Sequence, residues 1–169
     1  YKLIPEIITG LDDDASLEKR VGELLQKNNK TICTAESVTG GKIAATLVAV
    51  PGASAYYKGS FITYTAETKI NLLDVSLETI KKNTVVSKAV ALEMAKGAKE
   101  KLKTNYAIAV TGNAGPTTDH NDKSVGLVYI AIVSDEKEIV NEYNFGQPRE
   151  KVINRTVSKT LETLQKELQ

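Results

Sequence analysis

The chain has 169 residues, 41% hydrophobic and 25% charged, the length and balance of one globular domain with a sizeable core. Twenty-two basic residues stand against 21 acidic ones, a formal net charge of +1, which argues against a large nucleic-acid footprint because that needs a strongly basic face. The single cysteine, Cys33, excludes an internal disulfide and a zinc-type cysteine cluster; no apolar run approaches the roughly 20 residues that span a bilayer, and no secretory leader is expected, so the natural setting is the cytoplasm.

Residues 1–15 read as an arm or connector ahead of a domain at 16–169. Tyr1 to Leu11 is apolar and interrupted by Gly10, and Asp12-Asp13-Asp14 is a solvated turn that supplies negative charge ahead of a helix. Ser16 is expected to cap that helix, with Leu17, Val21, Leu24 and Leu25 as its apolar stripe and Asn28-Asn29 as its end. A strand is predicted over Thr31 to Ala35. A helix from Lys42 follows, with Ile43, Leu47 and Val50 inward, and Pro51-Gly52 stops it. Ala53 to Lys58 reads as a helical turn and Phe61 to Thr65 as strand two. Ala66 to Leu73 is helical, with Lys69 in its first turns. Ser76 caps a helix to Lys82, and Ser87 caps a longer one to about Leu102.

Tyr106 to Thr111 is a nearly continuous apolar run, as buried central strands show. Residues 112–123 form a long polar loop. Gly126 to Val133 and Glu138 to Phe145 read as a hairpin, and Arg149 to Leu168 as a closing helix with Val152, Val157, Leu161, Leu164 and Leu168 inward. The pattern predicts an α/β chain: a three-layer α/β/α sandwich with a mixed, mostly parallel sheet of about five strands. Ligand-binding groups of such sheets gather at the carboxyl ends of the strands, which brings Ser37, Tyr64 and Thr111 toward one edge.

The chemistry is expected around Thr34 to Gly41, where a strand runs into a polar, Gly-rich turn and a helix leaves it. Ser37 there is either a nucleophile beside unpaired backbone N–H groups or, like Thr39, a helix cap. Glu36 either orients donors or faces solvent. A nucleophilic serine needs a base. The one histidine, His120, sits in a Thr-, Asp- and Asn-containing loop with no identifiable carboxylate partner. Lys69 would serve if desolvation favours its neutral form, and is otherwise an ordinary surface lysine. The turn of Thr111, Gly112, Ala114 and Gly115 lets backbone approach a ligand closely.

Several motifs in one order carry a resemblance. Ala35-Glu36-Ser37 with Thr39-Gly40-Gly41 resembles A-E-S-C-T-G-G; Pro51 to Tyr56 resembles P-G-S-S-A-Y/F; Thr63-Tyr64-Thr65-Ala66-Glu67-Thr68-Lys69 resembles A/T-Y-S-N-E-A-K; Val86-Ser87 and Thr111 to Pro116 resemble A-V-S and T-G-I-A-G-P. These are signatures of the CinA C-terminal domain family, which includes nicotinamide mononucleotide deamidases, and the resemblance runs from about Ser16 to the end. It implies an amidohydrolase of pyridine-nucleotide salvage, without cofactor or metal, that uses Ser37, Tyr64 and Lys69, with Tyr64 relaying or holding a proton between the other two. It implies substrate contacts from Thr39, Gly40, Gly41, Thr111 and Gly112. It implies a phosphate grip by Arg149, whose Gly146-Gln147-Pro148-Arg149 resembles G-D-R with altered spacing; Arg155 is a second candidate.

The resemblance also implies a homo-oligomer and a molybdopterin-binding-like domain ahead of this one in two-domain relatives. Val38 stands for the family Cys, Thr65-Ala66 for Ser-Asn, Thr117-Thr118 for Asp-Gly, and Ser124 for the Pro of P-V-G. That altered surrounding shell motivates an alternative, a non-catalytic nucleotide-binding or assembly domain. Nucleic-acid binding is a third reading, against which the near-zero net charge stands.

Overall fold

The computed structural model describes residues 15–117 and 124–169. In order these form α1 (Leu17–Lys27), β1 (Ile32–Glu36), α2 (Lys42–Val48), a 3-10 turn (Ala53–Ala55), β2 (Tyr57–Ile62), α3 (Ala66–Leu73), α4 (Leu77–Asn83), α5 (Lys88–Leu102), β3 (Tyr106–Gly112), β4 (Leu127–Val133), β5 (Glu138–Asn144) and α6 (Arg149–Leu168). The strands make one mixed sheet in the order β2-β1-β3-β4-β5. β1 is parallel to both β2 and β3, while β4 is antiparallel to β3 and to β5, so all strands but β4 point the same way.

The two sheet faces follow from the alternation of side chains along each strand. Ile32, Ile108 and Val110 face α1, α2 and α6, where they meet Val21, Leu25, Ile43, Leu47, Val152 and Leu161. Ala107, Ala109 and Ala131 face the other way, onto Ala91, Ala95 and Ala98 of α5. With small residues on both sides α5 lies close to the sheet. It also lies close to α3: a Cβ on Gly97 would come within 2.0 Å of the Leu73 carbonyl oxygen. That contact fixes the helix that carries Lys69.

Local capping starts three of the helices where the sequence places them. The Ser76 and Ser87 hydroxyls accept from Thr79 and Val90 N–H. Thr65 and Thr68 form a reciprocal capping box at the head of α3. Each such cap is worth about 1 kcal/mol. Ser16 occupies the N-cap of α1 but its side chain makes no capping hydrogen bond.

The second strand differs from expectation. It begins at Tyr57 and ends at Ile62, because it pairs in parallel with β1 from Ile32 to Glu36. Tyr64 therefore lies in the loop after β2 and not within the strand. Tyr1 to Leu11, the Asp12-Asp13-Asp14 turn and His120 lie outside the described residues.

Candidate active site

The end of β1 delivers Ser37. Its N–H donates to the Val110 carbonyl at 3.1 Å, which continues the β1–β3 pairing one residue past the strand. The residue is buried. From the other side, the capping box sets the start of α3 and turns Lys69 and Leu73 inward, one helical turn apart. The Lys69 side chain is 1% exposed. Its Nζ donates to the Thr63 carbonyl at 2.7 Å and to Ser37 Oγ at 3.1 Å. Burial pushes the ammonium down to about 8, so about a tenth of it is neutral at pH 7 and half at pH 8. A buried amine beside a serine hydroxyl, with no carboxylate bonded to it among the described residues, is arranged to take a proton.

The pair opens into a cavity of about 660 Å³ that Tyr64, Thr111, Gly112 and Arg149 also line. Among the described residues, Lys69, Lys81 and Arg149 are its charged lining, and no Asp or Glu is among them. An anionic ligand suits that lining. The Thr111 hydroxyl donates to the Val85 carbonyl at 2.9 Å, leaving its oxygen free to accept. Arg149 donates to the Gly115 carbonyl at 2.9 Å and to the Tyr64 hydroxyl at 3.0 Å. Tyr64 is 59% exposed. The expected relay position between Ser37 and Lys69 is thus not the one it takes: the amine reaches the serine directly, and the phenol is held by Arg149.

The turn after Ser37 departs from expectation in a second respect. Gly40 and Gly41 adopt φ values of +59° and +97°, a region in which other residues are strained. The Gly40 N–H donates to the Ser37 carbonyl at 3.1 Å, and the Gly41 N–H to Glu36 Oε2 at 3.1 Å. These two donors, expected to face an oxyanion, are already used. The Val38 and Thr39 N–H groups have no partner among the described residues. Thr39, Gly40 and Gly41 do not line the cavity, and the Thr39 hydroxyl donates to Glu36 Oε2 at 2.6 Å. The first N–H groups of α2 are met by the chain's own Glu36, a fully buried carboxylate.

Of the two readings of Glu36, orienting donors or facing solvent, its hydrogen bonds bear out the first, whereas Lys81 at the cavity wall was not singled out by the sequence. For Glu36 a signal existed, an acidic residue just ahead of a Gly-rich turn that opens a helix. Arg155 is exposed on α6 and does not line the cavity. Cys33 is buried, and that burial raises its thiol pKa, so it is an unreactive core residue.

These features define a three-layer α/β/α domain with a mixed five-stranded sheet, whose cavity opens at the carboxyl ends of its parallel strands. The chain belongs to the CinA C-terminal domain family, whose model matches residues 14–168. It is 48% identical over 166 residues to a CinA-like protein of Flavobacterium psychrophilum, covering 98% of this chain and 40% of that one. It is 45% identical over 155 residues to a putative competence-damage inducible protein of Clostridium botulinum, covering 92% and 38%. The chain thus spans about two fifths of the length of these curated relatives. Among solved structures, a CinA superfamily protein from Klebsiella pneumoniae aligns with a TM-score of 0.87 at 31% identity, over 90% of this chain and 95% of that one. A competence/damage inducible protein from Agrobacterium tumefaciens aligns at 0.86 and 36%, over 90% and 93%.

Proposed function

We propose that the domain is an amidohydrolase that converts nicotinamide mononucleotide to nicotinate mononucleotide and ammonia. The observation that carries this reading is the 3.1 Å contact between the buried Lys69 amine and Ser37 Oγ at the wall of a cation-lined cavity. The family resemblance supplies the substrate class.

In this mechanism neutral Lys69 takes the Ser37 proton as Oγ attacks the carboxamide carbon. The carbonyl π electrons move to its oxygen, which the N–H of Val38 at the cavity wall, unpartnered among the described residues, stabilises. The Lys69 ammonium returns the proton to the amide nitrogen as the C–N bond breaks, so that ammonia leaves and Lys69 is neutral again. Tyr64, whose oxygen accepts from Arg149 and whose own proton is therefore free, donates toward the substrate. Water, deprotonated by the neutral Lys69, then attacks the acyl-serine ester; the acyl C–Oγ bond breaks, Lys69 hands the proton to Ser37 Oγ, and the acid is released. Arg149 holds the phosphate and so positions the amide against Ser37.

Ammonia release from nicotinamide mononucleotide by the wild-type chain, and its loss in Ser37→Ala, is the direct test. Nucleotide binding by the wild type with no ammonia release would instead make this a non-catalytic binding domain.

A further inference from the structure

Glu36 is a buried carboxylate beside the site, and the mechanism above gives it no chemistry. Its oxygens accept from the N–H groups of Gly41, Ile43 and Ala44 at 3.1, 3.0 and 2.8 Å, and from the Thr39 hydroxyl at 2.6 Å. The turn between Glu36 and α2 is Ser37 to Gly41, so this one side chain closes the loop that carries the nucleophile. The Glu36 backbone carbonyl accepts the Thr63 N–H at 2.9 Å, and the Thr63 carbonyl accepts the Lys69 amine at 2.7 Å. One residue is thereby joined to both reacting groups, to Ser37 through its side chain and to Lys69 through its main chain.

The chemistry of the carboxylate matters here. A carboxylate only accepts hydrogen bonds, and five donors converge on this one, the Thr34 hydroxyl at 3.4 Å being the fifth. A glutamine of the same shape would turn an NH2 group against some of those donors, and the turn would have to move. A shift of under an ångström is enough to spoil attack, because reacting atoms must be held in a near-attack geometry. We propose that Glu36 is a positioning residue, which locks the Ser37 turn in register with the Lys69 amine. This rests on the Ser37–Lys69 reading of the site. A carboxylate that only capped α2 would change the stability of the fold and leave the reactivity of the folded protein alone.

The test uses a fluorophosphonate probe, which reports serine nucleophilicity without any nucleotide, with the modified residue identified by mass spectrometry. Wild type is expected to be labelled at Ser37, and Glu36→Gln at least tenfold more slowly per folded molecule. Calorimetric affinity of Glu36→Gln for nicotinamide mononucleotide should stay within threefold of wild type, so that kcat falls and KM does not. Labelling of Glu36→Gln within threefold of wild type would overturn the proposal. If that variant does not fold, by circular dichroism, Thr39→Val replaces it, since it removes one hydrogen bond to the same carboxylate. Labelling slowed threefold or more in Thr39→Val supports the proposal, and a smaller change overturns it. Absence of labelling in the wild type itself would remove the Ser37–Lys69 pair as the reacting groups, and the positioning role with it.

Discussion

The Arg149 guanidinium donates to the Tyr64 hydroxyl at 3.0 Å, joining the head of the closing helix to the loop after β2. The contact leaves the phenol proton free for a ligand and takes Tyr64 out of the path between Ser37 and Lys69. Tyr64→Phe should therefore lower turnover of nicotinamide mononucleotide by roughly 10–100-fold, the size of one lost hydrogen bond to a group that carries charge. Labelling of Ser37 by a small fluorophosphonate should stay within about threefold in the same variant. A parallel collapse of both rates would show that Tyr64 relays the serine proton after all.

Arg149 is the strongest candidate for the phosphate, since it lines the cavity while Arg155 does not. A charge-assisted hydrogen bond is worth roughly 1.5–3 kcal/mol, so Arg149→Ala should lose at least about tenfold in kcat/KM on the mononucleotide. Nicotinamide riboside, which has no phosphate, should lose far less. Equal losses on both substrates would assign Arg149 a purely structural part, through its bonds to Gly115 and Tyr64.

In the proposed mechanism Lys69 acts only when neutral, and burial lowers its pKa to about 8. Activity should therefore rise with pH through about 8 and level off above it. Lys69→Arg retains a cation that does not deprotonate, and should be nearly inactive while keeping its fold by circular dichroism. Substantial turnover by that variant, or a rate independent of pH between 6 and 9, would remove Lys69 as the base.

The same burial has a consequence for stability. Folding lowers the Lys69 pKa from 10.5 to about 8, so between those values the unfolded chain binds more protons than the native one. Stability then rises with pH across that window, and the contribution is lost as pH falls through the folded value. In Lys69→Met the group is gone. Wild type should gain stability relative to this variant from pH 8 to 10, by up to about 1.4 kcal/mol per pH unit. Urea denaturation of both proteins at each pH measures the difference. A constant gap would mean that Lys69 is not desolvated in solution.

Much of the frame was legible along the chain because its signals are local. Ser76 and Ser87 announce their helices through hydroxyls that reach N–H groups three residues on. The stripe from Val152 to Leu168 repeats at the helical period and is buried as that period requires. Ser37 was legible as a site residue because a strand, a Gly-rich turn and a helix follow one another there. The start of β2 was not, since parallel pairing to β1 at Ile32 decides it, and nothing between Ala53 and Lys58 records that partner.

Whether Lys69 lies buried beside Ser37 or out in solvent was decided only by packing. Its pKa depends on how much water reaches it, and α5, held against α3 at Gly97, belongs to a distant part of the chain. The same holds for Glu36. Its sequence neighbours leave it free to face solvent or donors, and only the return of α2 over the turn surrounds its oxygens with four hydrogen-bond donors. Secondary structure follows from periodicities and caps within a few residues, whereas desolvation and hydrogen-bond partnership are properties of whatever the fold brings from elsewhere.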